Sequence, residues 1–131
     1  GWTWQLVRDG LMVAAVDNGP MADVLTGHVS VEHRREDGFT FRPDRPVEWL
    51  VCDMVEKPSR VADLMAAWVA RGDCRRAIFN LKLPMKKRQQ AVMDAVERIA
   101  DRLEEAEVDF DIDIRQLYHD RDEVTAYLRR V

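Results

Sequence analysis

Four charged residues of this 131-residue chain stand at or just beyond the ends of apolar runs. Asp17 follows Leu11 to Val16, Asp37 lies beyond Val29 to His33, Asp53 follows Trp49 to Cys52, and Lys82 follows Ala77 to Leu81. If the runs are buried strands of an open α/β sheet, their carboxyl ends converge on one edge, where such sheets bind ligands. Asp17, in the turn Asp17-Asn18-Gly19-Pro20, is placed like a ribose-hydroxyl acceptor in a nucleotide-binding unit. The same turn is also ordinary Asp-Asn-Gly chemistry. Lys82 sits among apolar neighbours in Asn80-Leu81-Lys82-Leu83-Pro84. Desolvation and a nearby cation would lower its pKa and suit it to act as a general base; a lysine that merely snorkels to solvent is the bland reading.

Lys86, Lys87 and Arg88 follow Pro84, which is expected to open a helix. Cations in a first helical turn oppose the macrodipole, so three in a row ask for an anion such as an RNA phosphate, or else form a solvated basic turn. Asp109, Asp111 and Asp113 lack the glycine of a calcium loop and alternate with Phe110 and Ile112, which fits the solvent face of an edge strand. His28, His33 and His119 share no metal-ligand spacing, and no metal site is expected. Cys52 and Cys74 read as reduced core thiols, and Trp49 and Trp68 as core or helix-packing groups.

The elements that must position these residues alternate strand and helix, the pattern of a mainly parallel sheet wrapped by helices. Val61, Leu64, Met65, Trp68 and Val69 recur at helical spacing between Ser59 and Arg71, with Gly72 placed to stop the helix. A second helix after Pro84 has the apolar stripe Val92, Val96, Ile99 and Leu103. Val108, Phe110, Ile112 and Ile114 alternate with charged residues in a half-exposed strand, and Val124 to Arg130 forms the last strand. The connection between these two is too short for a crossover, so they are expected to be antiparallel neighbours.

With 20 basic and 24 acidic residues the net charge is −4, which excludes a polyanion binder held by overall positive charge; any RNA contact must be local. At 47% apolar content the chain can bury a core. No apolar run approaches the roughly 20 residues that span a bilayer, and no secretion signal is visible, so a cytoplasmic protein is expected.

Together these segments resemble the FtsJ-like (RrmJ-type) ribose 2'-O-methyltransferases that use S-adenosylmethionine. Gly1-Trp2-Thr3 is similar to the tail of the Pro-Gly-Gly-Trp cofactor loop, Val16-Asp17-Asn18-Gly19-Pro20-Met21 to the ribose-binding acid turn, and Arg35-Glu36-Asp37-Gly38-Phe39 to the adenine-side motif. Cys52-Asp53-Met54-Val55-Glu56-Lys57-Pro58, Asn80-Leu81-Lys82-Leu83-Pro84-Met85-Lys86-Lys87-Arg88 and the stretch from Gln116 to Thr125 resemble members that act on a cytidine of 23S ribosomal RNA. The resemblance implies a Rossmann-like methyltransferase sheet with helices on both faces and an antiparallel last strand. It further implies that residues 1–131 form a partial catalytic domain, truncated before the first central strand and lacking an N-terminal RNA-binding part. A strand missing from a parallel sheet leaves edges unpaired, so that segment or a partner is expected to fill the gap.

The family works with a Lys-Asp-Lys-Glu tetrad. Carried over residue by residue, Asp53 takes the place of its Asp, Lys82 of its second Lys and Glu123 of its Glu; the first Lys has no counterpart in the chain. The resemblance thus implies catalysis by Lys82, Asp53 and Glu123, cofactor contacts from Gly1, Trp2, Asp17, Asp37 and Asp53, and RNA contacts from Lys86, Lys87 and Arg88. A ribose hydroxyl is a poor nucleophile at neutral pH and must lose its proton as it attacks the methyl, which is work for a general base and not for a metal. A catalytically inactive fragment or RNA-binding module with the same fold is the main rival. A nicotinamide-dependent dehydrogenase would rest on Asp17 alone, without a complete Gly-x-Gly-x-x-Gly.

Overall fold

The computed structural model describes residues 13–16, 31–34, 37–54, 56–116 and 122–131, the first two stretches as backbone. The chain separates into two compact units, Gly1–Arg42 and Pro43–Val131. In the first, β1 (Val13–Val16) and β2 (Val31–Arg34) run parallel with Val13 opposite Val31. Both strands lie within the expected runs or one residue beyond, and the parallel pairing agrees with the expected sheet.

The second unit runs β3 (Val47–Cys52), α1 (Pro58–Arg71), β4 (Cys74–Lys82), α2 (Arg88–Glu105), β5 (Phe110–Arg115) and β6 (Glu123–Arg130). Its sheet order is β3-β4-β6-β5, with β3 and β4 parallel and both β6 pairings antiparallel. The last two strands are therefore the antiparallel neighbours that the short connection required. Residues of β4 divide by period two. Ala77, Phe79 and Leu81 are fully buried, and α1 packs on β4 while α2 packs on α1. Val124, Ala126 and Leu128 of β6 complete that buried face. The expectation of helices on the other face as well falls on residues outside those described.

Helix α1 starts on Pro58 at its first position, where the missing N–H costs nothing. It buries Val61, Met65, Trp68 and Val69. It stops at Gly72 with φ 79°, whose N–H returns to the Val69 carbonyl at 3.0 Å while that of Asp73 returns to Trp68 at 2.9 Å. In α2 the buried residues are Ala95, Ile99 and Leu103, one face at spacing four. Val92 and Val96 are only half-buried, because a residue as small as Ala95 lets α1 approach on the neighbouring stripe. Arg98 and Asp63 tie the two helices at their rim through a bidentate pair at 2.7 and 3.0 Å.

Two expectations need correction. Trp49 is 45% exposed, not core: Leu50 and Cys52 take the helix-facing positions of β3 and leave Trp49 on the opposite face. There its ring lies 5.8 Å from that of Tyr127 and under the Arg76 guanidinium at 5.2 Å. Nor does Pro84 open a helix. The Pro84 carbonyl, which a helix begun there would spend on the Arg88 N–H, accepts from Arg88 Nε at 2.9 Å, and Lys87 has a left-handed φ of 55°. Helix α2 therefore begins at Arg88. The edge-strand reading of the aspartates holds, since Asp111 and Asp113 are exposed on β5 and meet Arg129 and Arg115.

Gly72→Ala should destabilise the fold by about 1–2 kcal/mol. A methyl there would meet only Arg130 at an ordinary 3.6 Å, so the cost is conformational and Gly72→Asn should recover part of it. Equilibrium urea unfolding measures both, and a neutral Gly72→Ala would contradict the left-handed cap.

Candidate active site

The register of two ladders assembles a polar cluster at the carboxyl end of β4. In the parallel ladder Val51 faces Ile78, so Asp53, two residues on, arrives beside Asn80. In the antiparallel ladder Lys82 faces Glu123 and Asn80 faces Thr125. All five therefore project from the face opposite α1, where side chains two apart on β4 share a side.

The Lys82 Nζ donates to Glu123 Oε2 in a close ion pair and lies 3.8 Å from Asp53 Oδ1. Lys82 is 37% exposed and Glu123 19%, so the ammonium is reachable from solvent while its main partner is largely covered. Asn80, 5% exposed, stands behind the pair. Its Nδ2 donates to Asp53 Oδ1 at 3.0 Å and its Oδ1 accepts from Thr125 Oγ1 at 2.7 Å, which fixes both the amide and the aspartate. Asp53, Lys82 and Glu123, three of the residues singled out in the sequence, thus come together. Asn80 and Thr125 were not singled out. The signal that could have found them is a polar residue two before Lys82 within an apolar strand and a hydroxyl two after Glu123.

The charges facing Lys82 among the described residues are carboxylates, not the cation expected from its sequence. Desolvation is also incomplete at 37% exposure. Asp53 and Glu123 favour the ammonium, so service as a base requires Lys82 to release a proton first, after which the two carboxylates stabilise the ammonium that re-forms.

Asp37, in the first unit, is exposed and holds a turn: its Oδ1 accepts from the Phe39 N–H at 2.9 Å and its carbonyl from those of Thr40 and Phe41. Gly1, Trp2 and Asp17 lie outside the described residues. Lys86 and Lys87 are exposed ahead of α2, so the dipole conflict that seemed to demand an external anion does not arise for them. Arg88 does stand in the first turn, and its anion is internal: it pairs with Asp122 at 2.9 Å.

Both cysteines are free and buried, and burial raises their pKa values, that of Cys74 to about 12. They are inert thiols that take no part in the cluster.

Asn80→Ala should cost about 1–3 kcal/mol of stability by removing two hydrogen bonds and leaving a gap at a nearly buried position, whereas Thr125→Val should cost about 1. Chemical denaturation of the two variants decides it; equal and negligible losses would mean that Asn80 clamps nothing.

No protein-family model matches the chain. Among solved structures, one from Bordetella parapertussis described as a possible exported protein aligns with TM-score 0.59 at 13% identity, over 92% of this chain and 53% of that one. Another, from Thermoplasma acidophilum and described as "a putative methyltransferase", aligns with TM-score 0.50 at 13% identity, over 98% of this chain and 62% of that one. At such identity the likeness is one of fold. Sequence similarity is far stronger to proteins named ribosomal RNA large subunit methyltransferase M. It reaches 61% over 130 residues in Laribacter hongkongensis, 59% over 128 in Azoarcus sp. and 53% over 131 in Pseudomonas fluorescens. This chain spans only 35–37% of those relatives' length. Along 98–100% of its own length, then, the chain is similar to about a third of ribosomal RNA large subunit methyltransferase M.

Proposed function

We propose that the protein carrying this chain is a cytoplasmic S-adenosylmethionine-dependent methyltransferase that modifies the ribose 2'-hydroxyl of a cytidine in 23S ribosomal RNA. The observation that carries the reading is the Lys82 ammonium set between Glu123 and Asp53 at a strand end. It is supported by the relatives' names, by the fold and by the agreement of these three residues with the family's Asp, second Lys and Glu.

The donor set suits a sulfonium methyl donor, because two carboxylates against one ammonium leave a net negative charge at the cluster. When bound, S-adenosylmethionine supplies an electrophilic methyl group and leaves as a neutral thioether. Gly1, Trp2, Asp17, Asp37 and Asp53 are the residues assigned to hold it. Lys82, once its ammonium has released a proton to solvent, takes the hydroxyl proton as the neutral amine. Glu123 and Asp53 stabilise the ammonium so formed and aim its Nζ, while Asn80 keeps Asp53 from rotating away. Lys86 and Lys87 contact phosphates on either side of the target. Arg88 holds their loop through Pro84 and Asp122.

In the intact protein, Lys82→Ala should lower single-turnover methyl transfer by roughly 10²–10⁴ while S-adenosylhomocysteine binds with unchanged affinity. Lys82→Arg, which keeps the charge but cannot accept a proton, should be as inactive. Turnover retained in either variant would remove Lys82 as the base. Lys86→Ala with Lys87→Ala should reduce the slope of log K against log salt for RNA binding by about 2, one per phosphate contact. An unchanged slope would take both lysines off the interface.

A further inference from the structure

Lys82 makes unequal contacts with its two carboxylates. Its Nζ donates to Glu123, whereas Asp53 Oδ1 stands off at 3.8 Å, about 1 Å beyond the usual length of a charge-assisted hydrogen bond. Attraction alone would close that gap, since Asp53 is 49% exposed and follows the last residue of β3, outside the ladder. A restraint opposes it. The one hydrogen bond that Asp53 accepts among the described residues comes from Asn80 Nδ2 at 3.0 Å, and it ends on Oδ1, the same oxygen that faces the lysine.

We infer that Asn80, held in turn by Thr125, is a positioning residue that keeps Asp53 out of direct contact with Lys82 and so leaves the lysine able to give up its proton. The inference rests on the function proposed above, in which Lys82 works as a base, and it names what tunes that base.

Three features make the restraint effective. Asn80 and Thr125 are cross-strand partners in the ladder of β4 and β6, so the backbone sets their separation. The amide fits only one way round, because an ionised carboxylate accepts and does not donate: Nδ2 must face Asp53, which leaves Oδ1 for the Thr125 hydroxyl at 2.7 Å. Asn80 is also only 5% exposed, so water has little access to compete for either bond. The two bonds run in series from hydroxyl to amide to carboxylate, and each polarises the next.

Release of Asp53 has a definite sign. Free to swing, its carboxylate would move from 3.8 Å to hydrogen-bond length from Nζ and favour the ammonium more strongly, so the neutral amine would form only at higher pH. Coulomb's law at the effective dielectric constant of a protein surface, discounted for the exposure of both groups, makes this about 0.5–1 pH unit. The other charges near the lysine stay as they are. Glu123 faces it from β6, while Glu56 and Lys57 ahead of α1 and Asp94 on α2 line a groove together with Lys82. Lys86 and Lys87 ahead of α2 and the pair of Arg88 with Asp122 are likewise untouched.

The test is the pH dependence of single-turnover methyl transfer by the intact protein on a ribosomal RNA fragment, from about pH 6 to pH 10 with S-adenosylmethionine saturating. In Asn80→Ala the rising limb should move up by about 0.5–1 pH unit, so that transfer is about three- to tenfold slower on the limb and nearly unchanged at the alkaline plateau. Thr125→Val should move the limb the same way by less, and Thr125→Ser, which restores the hydroxyl, should return it. Once Asp53→Asn has removed the restrained charge, adding Asn80→Ala should move the limb no further. A limb that stays in place in Asn80→Ala, or in Thr125→Val should the first variant fold poorly, would overturn the inference. So would a rate reduced by one factor at every pH, the signature of a merely structural residue. If this inference alone fails, Lys82→Ala stays inactive although the limb does not move; if the catalytic reading fails, Lys82→Ala keeps turning over.

Discussion

Strand β4 pairs in parallel with β3 on one side and antiparallel with β6 on the other, and the candidate site depends on that mixed pairing. A parallel neighbour brings the end of β3, with Asp53, to the same edge as the end of β4. An antiparallel neighbour brings the beginning of β6, with Glu123, to that edge. Two carboxylates from opposite flanks can thus face one lysine on the strand between them. Were β6 parallel to β4, Glu123 would lie at the far end of the sheet, about seven residues or 23 Å away at the usual strand rise.

Stability does not account for the cluster. Ion pairs as exposed as that of Lys82 and Asp53 contribute only about 0–1 kcal/mol. A nearly buried asparagine, too, is a cost that its two hydrogen bonds only offset. The arrangement does constrain geometry: Asn80 locks Asp53, Thr125 locks Asn80, and the lysine is held between carboxylates that differ in exposure. The hydrophobic work is done on the opposite face, by Phe79, Leu81, Ala126 and Leu128 on the side that α1 covers. One strand therefore carries core and chemistry on alternate residues.

Where local pattern and tertiary context agreed, the chain could be read directly. The helical spacing from Val61 to Val69 with Gly72 behind it yields α1 almost to the residue, and the alternation of Phe110, Ile112 and Ile114 yields the edge strand. The departures share a cause. Pro84 satisfies the local rule for a helix start, but Arg88 uses the Pro84 carbonyl and reaches Asp122, a partner 34 residues away. Trp49 looks like core by residue type, but its place in the alternation of β3 puts it on the face away from the helices. Val92 and Val96 are more apolar than Ala95, yet the small residue is the one at the helix contact, because close approach of α1 favours it.

By itself the sequence determined the order of strands and helices, the core-facing residues of α1, and the candidacy of Asp53 and Lys82 as residues ending buried strands. These follow from periodicity and from short-range turn chemistry, which act within a few residues. Tertiary structure decided what Lys82 faces, since the carboxylates beside it come from 29 residues before it and 41 after it, and only the ladder registers fix those neighbours. It also decided the role of Asn80, whose two partners come from opposite sides of β4, and the start of α2, which falls at Arg88 and not at Pro84. Contacts between distant residues depend on how strands align, and alignment is a property of the packed sheet as a whole.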